Sequence, residues 1–257
     1  MLMFTSYIRC LSIKSEVATC IQQTATATKE EPSMAIKLKN TADVFSNGVK
    51  ALVYGQAGAG KTTLAATMPN PIIISAEGGL MSIQDAGLPY VEVSSLEDLY
   101  EAYEWITSSE GDQFESVVLD SLSEIGEVVL THEKANNKDG RAAYGEMAEK
   151  LTQLVRAFRD LPGKHVLMTA KMEKAQDENG RMLYQPSMPG AKMTQAIPYF
   201  LDLVLALRIE RDPEGNVQRA LMCDSDGLWS AKARGGKLDT WDAPDMGEVI
   251  RKAGGKE

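Results

Sequence analysis

The chain has 257 residues, 44% of them hydrophobic, with 27 basic against 36 acidic side chains and a net charge of −9. That length buries one good core rather than two, and the acidic balance excludes a protein that coats duplex DNA by bulk charge, though not one with a local basic groove. Cys10, Cys20 and Cys223 form no CxxC pair, which points to a reducing, cytoplasmic setting and away from structural zinc, and no run reaches the ~20 apolar residues of a membrane helix.

In chain order, residues 1–36 read as a disordered N-terminal extension, 37–245 as the folded domain and 246–257 as a C-terminal tail. TATATKEEPS, at 24–33, is poor in large apolar groups. MLMFTSYIRCLSIKS is apolar and mildly basic but lacks a signal h-region and a small-residue cleavage site, so a floppy extension ahead of Met34 is preferred to a targeting peptide. From residue 50, short apolar runs alternate with helical periods, which predicts α/β architecture with a mostly parallel central sheet flanked by helices. ALVY (51–54), IIIS (72–75), SVVL (116–119) and HVLMTA (165–170) are the predicted strands. SSLEDLYEAYEWIT is a predicted helix with Ser95 and Asp98 as a capping box and Leu96, Leu99, Tyr103 and Ile106 on one face. YGEMAEKLTQLVRAF places Met147, Leu151, Leu154 and Phe158 likewise. After residue 200, LDLVLALRI, VQRALMC and GLWSA, separated by DPEGN and DSDG, predict an antiparallel strand extension.

VYGQAGAGKTTLA carries GxxxxGK[ST] spacing between a predicted strand and a predicted helix. Gly55, Gln56, Ala57, Gly58, Ala59 and Gly60 would turn backbone N–H groups inward as an anion nest, continued by Thr63. The helix start adds its dipole, Lys61 reaches the outer phosphates of ATP, and the Thr62 hydroxyl ligates Mg2+. VVLDS then supplies Asp120 as the second magnesium residue, although an aspartate there would also serve as a helix cap.

Ser121 follows Asp120, where many ATP-hydrolysing machines have a glutamate that activates water. Glu124 lies one helical turn on and is expected to be displaced from the strand edge. Glu77 ends the second strand, expected to neighbour the phosphate-loop strand, and Gly78 and Gly79 leave room for the nucleotide. Glu77 is therefore the predicted base, with a capping or salt-bridged glutamate as the other reading.

GQAGAGKT, SAE and VVLDS in this order resemble the RecA-like P-loop ATPases, over roughly residues 48 to 240. The set resembles more narrowly the phage-encoded minimal RecA-core proteins of single-strand annealing and recombination. The resemblance implies a sensor strand, HVLMTA, lying between the phosphate-loop and magnesium strands, with Lys171 as the γ-phosphate sensor. It implies that Lys232 and Arg234 in SAKARGGKL reach the ATP of a neighbouring subunit in a homo-oligomer, as charge develops on the leaving phosphoryl group. Without the resemblance that pair reads as a solvated basic turn.

The resemblance also implies single-stranded DNA as a partner, held by loops at 132–145 and 171–193. Lys134, Lys138, Arg141, Lys174, Arg181 and Lys192 would meet phosphates, and Tyr144 or Tyr184 would stack on bases. Interleaved Glu133, Asp139, Glu173, Asp177 and Glu178 leave ordinary surface loops as the alternative. A single-strand-binding protein is a possible further partner. The competing functions are a replication motor or helicase-loading ATPase, a P-loop small-molecule kinase and a non-hydrolysing nucleotide-dependent scaffold.

Overall fold

The computed structural model describes residues 47–176, 179–211 and 214–254, so the expectations for the 1–36 extension and for Asp177 and Glu178 lie outside the described residues. The ordered core begins with β1 (Lys50–Gly55), followed by α1 (Lys61–Ala65), β2 (Pro71–Ser75), a 3-10 stretch at Leu80–Ala86 and β3 (Tyr90–Glu92). Next come α2 (Leu96–Ile106), β4 (Ser116–Asp120), α3 (Leu122–Asn136), α4 (Gly140–Arg159) and β5 (His165–Gln176). The chain then runs through β6 (Met182–Pro186), α5 (Ala191–Phe200), β7 (Leu203–Arg211), β8 (Val217–Met222), β9 (Lys232–Ala233), β10 (Trp241–Asp242) and α6 (Met246–Gly254).

The main sheet has the order β10-β8-β7-β1-β5-β4-β2-β3, with β6 paired to β5 and β9 to β7. All pairings among β7, β1, β5, β4, β2 and β3 are parallel. Those of β8, β9, β10 and β6 are antiparallel. β5 thus lies between the phosphate-loop strand β1 and the aspartate strand β4, as expected. The presumed adjacency of β1 and β2 is corrected, because β5 and β4 intervene. Consecutive strands need not pair when each crossover carries a helix over the sheet.

Both sheet faces are covered, which explains the near-continuous apolar strands. Leu52, Ile74, Leu119 and Met168 pack under α2, α3, α4 and α5. Val53, Ile73, Val118, Leu167 and Leu205 pack under α1 and α6 on the other face. In α2, Ser95 accepts from the Asp98 amide at 3.1 Å while Asp98 accepts from the Ser95 amide at 2.9 Å, the predicted capping box. Met147, Leu151, Leu154 and Phe158 of α4 are all buried.

Residues 246–254, read as tail from the sequence, form α6. Its Met246, Val249 and Ala253 are buried at helical spacing, so the packed unit continues beyond 245. GLWSA is not a strand; only an isolated bridge joins Trp229 to Tyr184, and β9 begins at Lys232. Trp229 is spent on an aromatic stack instead. Its ring centroid lies 4.3 Å from that of Tyr184, nearly parallel at 9°, and the Arg208 guanidinium lies 4.3 Å from the Trp229 ring. Tyr54 joins this cluster through a 3.0 Å bond from its hydroxyl to the Tyr184 carbonyl.

Candidate active site

β1 ends at Gly55, and the chain leaves the sheet head as a loop stabilised by the Ala59 amide donating to Gln56 O at 3.2 Å. Gly58 and Gly60 hold φ of 74° and 101°, left-handed values that side chains resist. Nothing lies within 4 Å of where a Cβ of Gly58 would sit, so its glycine answers to backbone conformation rather than to crowding. The helix that follows is only five residues long. The dipole contribution expected there is therefore small, and any anion bound here would rest on the loop N–H groups and Lys61.

Lys61 Nζ donates to its own loop, to Gly55 O at 3.2 Å and Gln56 O at 3.1 Å. Burial lowers its ammonium below the ordinary lysine value and Lys171 adds to that, while Glu77 and Asp120 pull it back up. Thr62 Oγ1 donates to Asp120 Oδ2 at 2.8 Å. Asp120 is 1% exposed, and its other oxygen accepts from the Thr169 hydroxyl. The Asp120–Ser121 peptide is cis. Ser121 caps α3, its hydroxyl accepting from the Glu124 amide.

Among the described residues no cluster of three or more His, Cys, Asp or Glu side chains forms a metal cage. Mg2+ does not require one, since it keeps waters and takes one or two carboxylates together with substrate phosphates. A buried carboxylate joined to a hydroxyl beside a phosphate loop fits that ion.

A cleft of about 570 Å³ opens over the loop, lined by Gly60, Lys61, Thr62, Thr63, Glu77 and Arg219 among others. Although β2 is not next to β1, Glu77 therefore faces the same cleft, because parallel strands deliver their C-terminal ends to one edge of the sheet. Glu77 is exposed and free to meet solvent.

Arg219 was invisible from the sequence. It sits on β8, and its Nε donates to Ala59 O at 3.0 Å across 160 residues of chain. An arginine in VQRALMC carries no local sign of that contact.

Lys171 pairs with Gly55 in the β1–β5 register and is ion-paired with Glu124. Glu124, in the first turn of α3, does not line the cleft, and its carboxylate is taken up by Lys171.

Lys232 and Arg234 lie elsewhere. β9 pairs with Leu203 and Val204, at the start of β7, whereas the loop leaves β1 beyond the level of Ala206. Neither lines the cleft of its own chain. Lys232 Nζ lies 5.8 Å over the exposed Tyr199 ring, and Arg234 bonds Asp202 Oδ1 at 3.0 Å and Tyr199 O at 3.3 Å. Burial, then Arg234, lowers the Lys232 ammonium.

The two segments expected as mobile loops are mostly regular structure. His132–Asn136 belongs to α3, 140–145 belongs to α4, and Asp139 caps α4 by accepting from the Arg141 amide at 2.9 Å. Polar composition misled here because α4 exposes one face to water. The second segment is the β5–β6 hairpin followed by the start of α5. Tyr184 stacks on Trp229, with Lys174 Nζ 5.6 Å from its ring centroid. Tyr144 stays 42% exposed, with Lys134 Nζ 5.4 Å over its ring. A small cleft joins Tyr144 and Gly145 to Pro189, Gly190 and Lys192, so the two segments do meet.

Among the described residues, no helix is long and apolar enough to cross a membrane. A family model described as an AAA domain matches residues 47–235, well over half of the chain. Among curated proteins nothing matches it.

Proposed function

The chain belongs to the AAA domain family, whose members carry a nucleotide-binding, ATPase-type domain, and from that premise we propose an ATP-hydrolysing RecA-core protein that binds single-stranded DNA in phage-type recombination, annealing or repair. One observation carries the ATPase reading: Thr62 bonded to the buried Asp120 at 2.8 Å, in a cleft that Lys61 and Glu77 share.

ATP phosphates would lie on the amides of 56–61, displacing Lys61 Nζ from the loop carbonyls it now holds. Thr62 and Asp120 would hold Mg2+, which neutralises phosphate charge when bound. Glu77 orients and polarises the attacking water at the open side of the cleft. Lys61 and Lys171 meet the negative charge that grows on the transferred phosphoryl group. Lys232 and Arg234, remote from their own loop, act on the nucleotide of the next copy in a homo-oligomer. That arrangement would couple turnover to assembly.

The DNA reading is supported by the Tyr144–Lys134 pair and by Lys192 across a shared cleft, a stacking ring with cations for the backbone. Interleaved acids keep the affinity modest and salt-sensitive. The test is phosphate release with and without single-stranded DNA across protein concentration. Stimulation with a steep concentration dependence is expected. A DNA-indifferent rate removes the DNA half of the reading, and absence of Mg2+-dependent turnover removes all of it.

A further inference from the structure

Lys171 is fixed at the backbone, and its half-exposed tip is held by one carboxylate. Its amide donates to Ser123 Oγ at 2.9 Å, and its carbonyl accepts from the Ser187 amide at 2.7 Å. Ser123 Oγ in turn donates to Ser187 O at 2.7 Å. The register sets Lys171 level with Gly55, where the phosphate loop begins. The side chain is 49% exposed on a flexible stem, and its ammonium is ion-paired with Glu124 at the start of α3.

The ammonium also belongs to the electrostatics of the cleft. Glu124 holds it above the ordinary lysine value, with smaller pulls from Glu77 and Glu127. It in turn helps to depress Lys61. A single cation therefore has two anionic suitors. One is Glu124, present in the chain. The other is whatever anion fills the cleft beside Glu77 and Lys61. A terminal phosphoryl group carries more negative charge than one carboxylate and reaches farther from the loop than the β-phosphate does.

We propose that Glu124 is a competing anion that holds Lys171 until a terminal phosphate draws it away, so that the Lys171–Glu124 pair sets how strongly the site prefers ATP to ADP. The inference rests on the loop being an ATP site and deepens that reading. Glu124 is then a positioning residue, acting through Lys171. The exchange lowers ATP affinity by the strength of the pair it breaks and leaves ADP, which ends short of Lys171, unaffected. A half-exposed ion pair of ~0.2–1 kcal/mol corresponds to at most about a fivefold change in dissociation constant.

The test is calorimetric titration of the full chain, with Mg2+, using a non-hydrolysable ATP analogue and ADP. Glu124→Gln is expected to tighten the analogue about two- to fivefold and leave ADP unchanged. Glu124→Ala should reproduce this, so a folding defect in either variant does not decide the outcome. Lys171→Met should bring the two nucleotides closer in affinity, and the Lys171→Met, Glu124→Gln double variant should match Lys171→Met alone. Tightening of ADP to the same degree, no change with the analogue, or additive effects in the double variant would overturn the inference while leaving the ATP site standing. A wild-type chain that binds neither nucleotide overturns both.

Discussion

Thr62 and Asp120, 58 residues apart in sequence, are joined by a 2.8 Å hydrogen bond at the head of the sheet. The bond ties the phosphate loop to the strand two positions away across β5. It places a hydroxyl and a carboxylate at one point, the pair that the proposed Mg2+ would use. Asp120→Asn keeps the size and the hydrogen bond but removes the charge. Turnover is expected to fall by at least ~10²-fold with folding retained, as measured by phosphate release beside circular dichroism.

Lys61→Ala removes the cation that already bonds the loop carbonyls. Nucleotide binding or turnover should be abolished, and a fluorescent ATP analogue reads the first directly. Binding at wild-type strength would show that phosphates sit elsewhere.

Glu77→Gln separates binding from chemistry. The amide cannot polarise water as the carboxylate does, so turnover should drop ~10²–10⁴-fold while analogue binding is retained. Turnover at the wild-type rate would remove Glu77 as the base.

Arg234→Ala is best read in mixtures with wild type. Its pairing with Asp202 is half-exposed, worth ~1 kcal/mol or less, so the variant should fold normally. If Arg234 serves the neighbouring copy, activity falls more steeply than the wild-type fraction as variant is added. A linear decline would mean that each chain works alone.

His165 gives a pH signature. The Val49 amide donates to its Nδ1 at 3.0 Å, and burial, then Lys50, lowers its pKa. The fold therefore favours the neutral ring over the unfolded value of ~6.5. That stability is fully present above pH ~6.5 and is lost as pH falls from there through the lower folded value. Thermal midpoints should drop between pH 7.5 and 5.5, and His165→Asn should flatten the drop. Lys50 acts in the same direction at alkaline pH. Burial lowers its ammonium to about 8, so its contribution to stability grows from there towards pH ~10.4.

The parallel core and its helices were legible because both sheet faces bury apolar residues and the helices are amphipathic, as Met147, Leu151, Leu154 and Phe158 illustrate. That the loop and Asp120 meet was legible because the loop follows β1 at fixed spacing and Asp120 ends a parallel strand of the same sheet. Arg219 was not, since its bond to Ala59 depends on β8 folding back beside β7. The Lys171–Glu124 ion pair was not legible either, because helical periodicity gives a face and not a partner on another element. The Tyr184–Trp229 stack was hidden for a related reason: an aromatic in a polar segment looks the same whether or not its ring meets another ring. The 246–254 helix was missed because only Met246, Val249 and Ala253 of its nine residues are buried.

Tyr54 stands one residue before the phosphate loop, and its hydroxyl grips the backbone of Tyr184 in the β5–β6 hairpin. The root of the loop and the arm of the hairpin are therefore riveted together. Any recoil of β1 when phosphates load is either handed to that arm or absorbed by tearing a sheltered hydroxyl from its acceptor, at a cost of ~1–3 kcal/mol. That single bond makes the backbone of the hairpin part of the footing on which the loop stands.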